Sequence, residues 1–217
     1  MLTRSLCILT LSSFIVACNS EDIETANFGS SYYKNDYTLI NTTNQEIDFH
    51  MANTELDGDE RDVKRNKYYV DTLASGADPI KTRHEHNGKY KISFYVQDHS
   101  QNTRNYKKLY KVNNDQDYHF IAWQDEELVR LSLVKNQQDN KDNFFAVRFL
   151  ATETVTLTVN EKPLTLTQGD VSHWRHVDDC NADIKVDDKI LSICHASYSN
   201  SYTLVVDKSG IKATITE

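Results

Sequence analysis

Only two prolines and six glycines occur among the 217 residues, which excludes a collagen-like or Pro/Gly-rich low-complexity chain. No apolar run approaches the 20 or so residues of a membrane span, so a polytopic membrane protein is excluded too. Basic residues are in the minority, 24 Lys and Arg against 32 Asp and Glu, for a formal net charge of −8. Such a chain has little with which to displace phosphate counterions, which argues against nucleic acid as a partner. Neither Gly-x-Ser-x-Gly nor His-Glu-x-x-His occurs, so the reading is a non-enzyme that calls for no cofactor. What is present, 39% hydrophobic and 26% charged residues, suffices for one globular body or two small ones.

The most specific order lies at the start. Arg4 gives a positive region, and Leu6 to Val16 form an apolar stretch too short to span a bilayer. It ends in Ile15-Val16-Ala17-Cys18, followed at once by polar Asn19-Ser20-Glu21-Asp22. This resembles the bacterial lipoprotein signal with its lipobox. The resemblance implies a signal peptide over residues 1–17, cleavage before Cys18, and diacylation of the Cys18 thiol, usually with acylation of the new amine. Each buried CH₂ contributes about 0.8 kcal/mol, so two or three acyl chains hold firmly where one does not. Asn19 replaces the Asp that resembles an inner-membrane retention signal, so the expected location is the outer membrane, with the periplasmic or surface face open. Residues 18–35 read as a lipidated polar tether.

Cys7 leaves with the signal and Cys18 carries lipid, so Cys180 and Cys194 remain. In an oxidising envelope they are expected to form a disulfide. Closing a loop of about 15 residues stabilises by about 3 kcal/mol in the chain-entropy account.

Strand signals dominate the rest. Alternation runs through Ile47–Met51, Tyr90–Val96, Val129–Leu133, Val155–Val159 and Tyr202–Val206. Asn87-Gly88, Gln168-Gly169-Asp170 and Ser209-Gly210 supply turns between such runs. A duplication is visible: Leu39, Ile47, Phe49 and Met51 match Val147, Val155, Leu157 and Val159, Tyr118 matches Tyr202, and Val129, Leu131 and Leu133 match Ile211, Ala213 and Ile215. The expected fold is all-β, two tandem immunoglobulin-like antiparallel β-sandwich copies over 36–135 and 144–217, with Asn53 to Lys67 as a solvent-exposed insertion in the first. A lipobox followed by two such copies, each closing in a hairpin like Tyr202-Thr203-Leu204-Val205, resembles the bacterial envelope family named domain of unknown function 4397. That resemblance implies a sandwich fold and an envelope location, and transfers no catalytic residue.

Two groups of side chains are candidates for chemistry. His84-Glu85-His86 places two imidazoles on one face of a strand, a start toward a zinc or copper site that needs three or four ligands. Tyr68, Tyr69, Trp123 and Trp174 fall at loop or strand-end positions, where an aromatic ring could meet a protein surface or a sugar. The expected function is a lipid-anchored, non-catalytic binding or structural module for an envelope protein or polysaccharide. A metal-binding accessory lipoprotein and, further off, an envelope glycoside hydrolase are the alternatives.

Overall fold

The computed structural model describes residues 32–55, 57–100, 104–186 and 189–217; Cys18, with the expected lipobox and the start of the expected tether, lies outside the described residues. Eight strands make the first copy: β1 (Tyr32–Asn41), β2 (Ile47–Asn53), β3 (Tyr69–Leu73), β4 (Ile80–Asn87), β5 (Ile92–Asp98), β6 (Asn105–Tyr110), β7 (Tyr118–Asp125) and β8 (Leu128–Lys135). Eight more make the second: β9 (Phe145–Ala151), β10 (Val155–Val159), β11 (Lys162–Leu166), β12 (Arg175–Val177), β13 (Ile184–Val186), β14 (Lys189–Ile190), β15 (Ser201–Asp207) and β16 (Gly210–Thr216). All five alternating runs fall within strands β2, β5, β8, β10 and β15, apart from Tyr90 and Lys91, which precede β5. Among the described residues no helix is long and apolar enough to cross a membrane.

Among the described residues four sheets of four strands result. The first sandwich packs sheet β4-β1-β7-β8 on sheet β3-β2-β5-β6, and the second packs β12-β9-β15-β16 on β11-β10-β13-β14. Each has its own core, built on Phe49, Phe94 and Phe120 in the first and on Phe149, Leu157 and Leu204 in the second. A third apolar cluster joins Ile40, Ile121, Trp123 and Val134 to Leu150, Val205 and Ile215. These are the outward faces of β1, β7 and β8 against those of β9, β15 and β16. The two sandwiches therefore stack back to back as four layers.

The sandwiches are not wholly antiparallel. β1 runs parallel to β7, and β9 runs parallel to β15. In each copy the chain visits the opposite sheet before returning beside its first strand, the long crossover that a parallel pair requires.

Matching hydrogen bonds establish the repeat. The phenol oxygen of Tyr118 accepts from the backbone N–H of Asn113 (3.0 Å), and that of Tyr202 accepts from Ser197 (2.7 Å), the same separation of five residues. Thr42 N–H donates to Ala122 O, and Thr152 N–H donates to Val206 O, both at 2.9 Å. The register corrects four of the matched positions. Leu39 pairs with Phe120 as Phe149 pairs with Leu204, so Leu39 corresponds to Phe149, not Val147. Likewise His119, Ile121 and Ala122 pair with Val134, Ser132 and Leu131 as Thr203, Val205 and Val206 pair with Ile215, Ala213 and Ile211, so these three β16 residues correspond to Val134, Ser132 and Leu131, not to Leu133, Leu131 and Val129. A bulge at Val205/Val206 shifts the pattern along β16.

Two boundaries also move. Residues 32–35 do not belong to the expected tether, because Tyr32 to Asn35 already pair with Asn87 to His84. The polar composition of this stretch reflects an edge pairing laced with charges, Lys34 to Glu85 (2.8 Å) and Arg83 to Asp36 (2.7 Å). Buried Asn35 gives both amide hydrogens to the carbonyls of Asn113 and Gln116. The Asn53 to Lys67 insertion is not simply solvent-exposed. It folds back so that Val63 and Tyr68 bury against Ala52 and Tyr95.

Candidate binding face on the first sandwich

β2 sends Ile47, Phe49 and Met51 into the core, so Asp48, His50 and Ala52 must face the other way. Cross-strand register then composes rows on that outer face. Thr72, Asp48 and Gln97 lie abreast on β3, β2 and β5, and next to them Tyr69, His50 and Tyr95. The insertion roofs part of this face, held by an ion pair from Lys107 to Glu60 and by Arg61, which bonds Glu55 (3.0 Å) and the Tyr68 phenol (3.2 Å).

The hydrogen bonds on this face have one direction. Asp48 Oδ1 accepts from Thr72 Oγ1 (2.5 Å) and from His99 Nδ1 (2.8 Å), and Oδ2 accepts from Gln97 Nε2 (3.0 Å). The single Thr72 proton is thus committed, so the Tyr69 hydroxyl is the donor in its 2.8 Å contact with Thr72. Tyr95 in turn donates to Gln97 Oε1 (2.8 Å). The bonds from Tyr69, Thr72, Tyr95, Gln97 and His99 thus all lead to one carboxylate. Burial works against its charge, but the bonds from Thr72, Gln97 and His99 outweigh that and hold Asp48 below the usual carboxylate range. The same contact raises His99 above the ordinary histidine value. With Nδ1–H given to Asp48, the half-exposed His99 ring keeps Nε2 for another partner.

Tyr69 is the ring presented outward. It is 46% exposed, lies edge-on to His50 at 5.7 Å, and is pinned by its hydroxyl. A fixed, exposed aromatic ring beside polar side chains offers a flat apolar surface with a polar margin.

The other aromatic candidates are placed differently. Tyr68 is 6% exposed and buried beneath the insertion. Trp123 is 4% exposed because the second sandwich covers it, and its indole N–H donates to Ser132 (3.0 Å). Trp174 stacks under the Arg148 guanidinium at 4.6 Å, at the margin of the same seam. Tyr69 alone of the four faces outward as a large exposed ring.

His84 and His86 do share a face, but it is the inner one. Their rings lie parallel, 6.5 Å apart at 15°, with His84 Nε2 bonded to Asn53 Oδ1 (2.8 Å) and His86 edge-on to Tyr33. Among the described residues no three His, Cys, Asp or Glu side chains converge to hold a metal ion. Cys180 and Cys194 are bonded, with Cα atoms 4.8 Å apart.

Asp48, Thr72, Gln97 and His99 are the residues of this face that sequence reading passes over. Asp48 and His50 at alternate positions in an otherwise apolar strand were a usable signal. Which residues of β3 and β5 lie beside them depends on register, and a bulge between Phe49 and His50 shifts it. Compared with known proteins, the chain matches no family model and no curated protein.

Proposed function

We propose that this chain is a lipid-anchored protein of a bacterial envelope that acts by binding, not by catalysis, and that the outer face of its first sandwich takes a polysaccharide. The lipobox ending at Cys18 supports the anchor and the location. The observation that carries the binding reading is Tyr69, an exposed ring locked beside hydrogen-bonding groups that converge on Asp48. The insertion that roofs this face belongs to the first copy alone, since a turn of two residues, Asn160-Glu161, joins β10 to β11 in the second. The second copy thus supplies stability and geometry and not a second such face.

The test is sedimentation of the purified chain with envelope polysaccharide fractions, peptidoglycan and lipopolysaccharide among them. One fraction is expected to retain the protein, and Tyr69→Ala to weaken retention by about tenfold, a loss of about 1.4 kcal/mol. Retention by none, or retention indifferent to both Tyr69→Ala and Asp48→Asn, would refute the reading. The anchor has its own test: Cys18→Ser should move the protein from the detergent phase to the aqueous phase.

A further inference from the structure

We infer that the cleft between the two sandwiches takes an extended acidic segment of a partner protein, which adds to β16 as a fifth strand of its sheet. This is a second site, remote in kind from the face around Tyr69.

β16 is the edge of sheet β12-β9-β15-β16. The Glu217 N–H donates to Ser201 O (3.0 Å), which fixes the phase of the ladder: Ile215 and Ala213 bond to β15, and the N–H and C=O of Thr214 and Thr216 turn away from it. Thr214 is half-buried and Thr216 exposed, so that outward row is accessible at the surface. It lines a cavity of about 590 Å³, with Thr38 of β1 and Lys81 of β4 on the opposite wall and the loop around Ala77 at one end. Lys212 lines both this cavity and a neighbouring one of about 440 Å³, so a trough follows the strand.

The first copy shows what a closed version of this edge looks like. Leu133 pairs with Phe120 as Thr214 pairs with Leu204, so the two are equivalent, and each N–H points off the sheet edge. In the first copy the Tyr110 phenol accepts the Leu133 N–H (3.4 Å). In the second, no described residue hydrogen-bonds the backbone of Thr214 or Thr216 on that side. An unpaired row with the two-residue spacing of a strand is matched best by another strand, whose main chain supplies the bonds.

Charge selects the occupant. The chain is acidic overall, yet the cavity beside Thr214 and Thr216 carries Lys81; Lys212, at its border with the neighbouring cavity that Glu126 also lines, is paired with Asp207 (2.8 Å). The Glu217 carboxylate that also lines it is occupied by Arg148, His119 and Thr203. Lys81 makes no contact ion pair among the described residues. A segment with glutamates or aspartates on the side facing β1 and β4 fits that sign.

The experiment uses the full chain in detergent and a fluorescent, acetylated octapeptide of alternating glutamate and valine. Saturable binding by anisotropy is expected, with slowed hydrogen exchange at the Thr214 and Thr216 amides. Thr214→Pro removes only an outward N–H, so it should weaken binding by at least about tenfold, whereas Thr214→Val, which keeps the backbone, should retain it. A lysine–valine octapeptide should bind poorly, and Lys81→Glu should reverse that preference. Absence of binding, binding indifferent to Thr214→Pro, or equal binding of both peptides overturns the inference. If Thr214→Pro does not fold, the exchange pattern on the unaltered chain decides alone. Tyr69→Ala should leave peptide binding unchanged, which separates this site from the polysaccharide face.

Discussion

Histidine decides the acid behaviour of single sites here. His86 is 1% exposed, neither ring nitrogen has a hydrogen-bond partner among the described residues, and burial, with His84 and the Lys111 ammonium adding to it, pushes its pKa down to about 4. His84 is likewise pushed down to about 4 by burial. A base with a depressed folded pKa takes its proton in the unfolded chain first, so stability must fall as pH drops from about 6.5 toward 4. For His86 that loss is roughly 3 kcal/mol across the window. Urea unfolding at pH 7 and pH 4.5 should show it, and His86→Leu should flatten the dependence by one proton's worth; an unchanged slope in that variant would count against the assignment. His99 behaves in the opposite sense. Its pKa is raised by Asp48, so its contribution is present at low pH and fades as pH rises through the raised value. Its NMR titration midpoint should lie above the ordinary histidine value and fall back in Asp48→Asn.

At the scale of strands, the second sandwich is the weaker partner in its outer sheet. β10, β11, β13 and β14 have five, five, three and two residues, against five, seven, seven and six for β3, β2, β5 and β6. The Cys180–Cys194 bridge clamps the base of the short β13–β14 hairpin, where Ile193 N–H also donates to Cys180 O (2.9 Å). Cys180→Ser with Cys194→Ser should therefore cost about 3 kcal/mol. Hydrogen exchange should rise in β13 and β14 and stay unchanged in β2 and β5. The same inequality explains what was legible. Strands with an apolar face on one side, such as β2 and β8, announce themselves by alternation. β4 does not, because beyond Ile80 the residues it turns inward are Thr82, His84 and His86, a polar set that reads as surface. β13 and β14 are too short to carry a period at all. The disulfide was legible because cysteine counting needs no geometry. The array around Asp48 was not, because it is made by three strands whose alignment is set by a bulge.

For the whole molecule, the question is whether the two sandwiches move independently, and the seam between them answers it. Its apolar part, Ile121 and Trp123 against Leu150 and Val205, adjoins a buried polar knot. The Glu217 side chain, 0% exposed, accepts from His119 of the first sandwich (3.1 Å) and from Arg148 of the second (2.8 Å), with Thr203 as a further donor. Arg148 also donates to the carbonyl of Lys135, and Gln137 N–H reaches Glu217 at 3.0 Å, so the linker is tied into the same knot. Burial opposes charge on Glu217, but the bonds from His119 and Thr203 and the Arg148 guanidinium outweigh it and hold its carboxyl below the usual range. A depressed carboxylate contributes stability above the ordinary value and loses it as pH falls through its own. Substituting one member of such a knot leaves a buried charge unpaired, which costs about 3–5 kcal/mol. Because that cost falls on the seam and not on either core, Glu217→Ala should loosen the sandwiches from each other before either unfolds. Calorimetry of the unaltered chain is expected to give one cooperative transition, and that of Glu217→Ala two separated ones. Arg148→Met in the same background should restore part of the loss, since it removes the charge left unpaired. A single transition at the original temperature in Glu217→Ala would mean that the apolar contacts alone couple the sandwiches and that the knot serves only to fix their register.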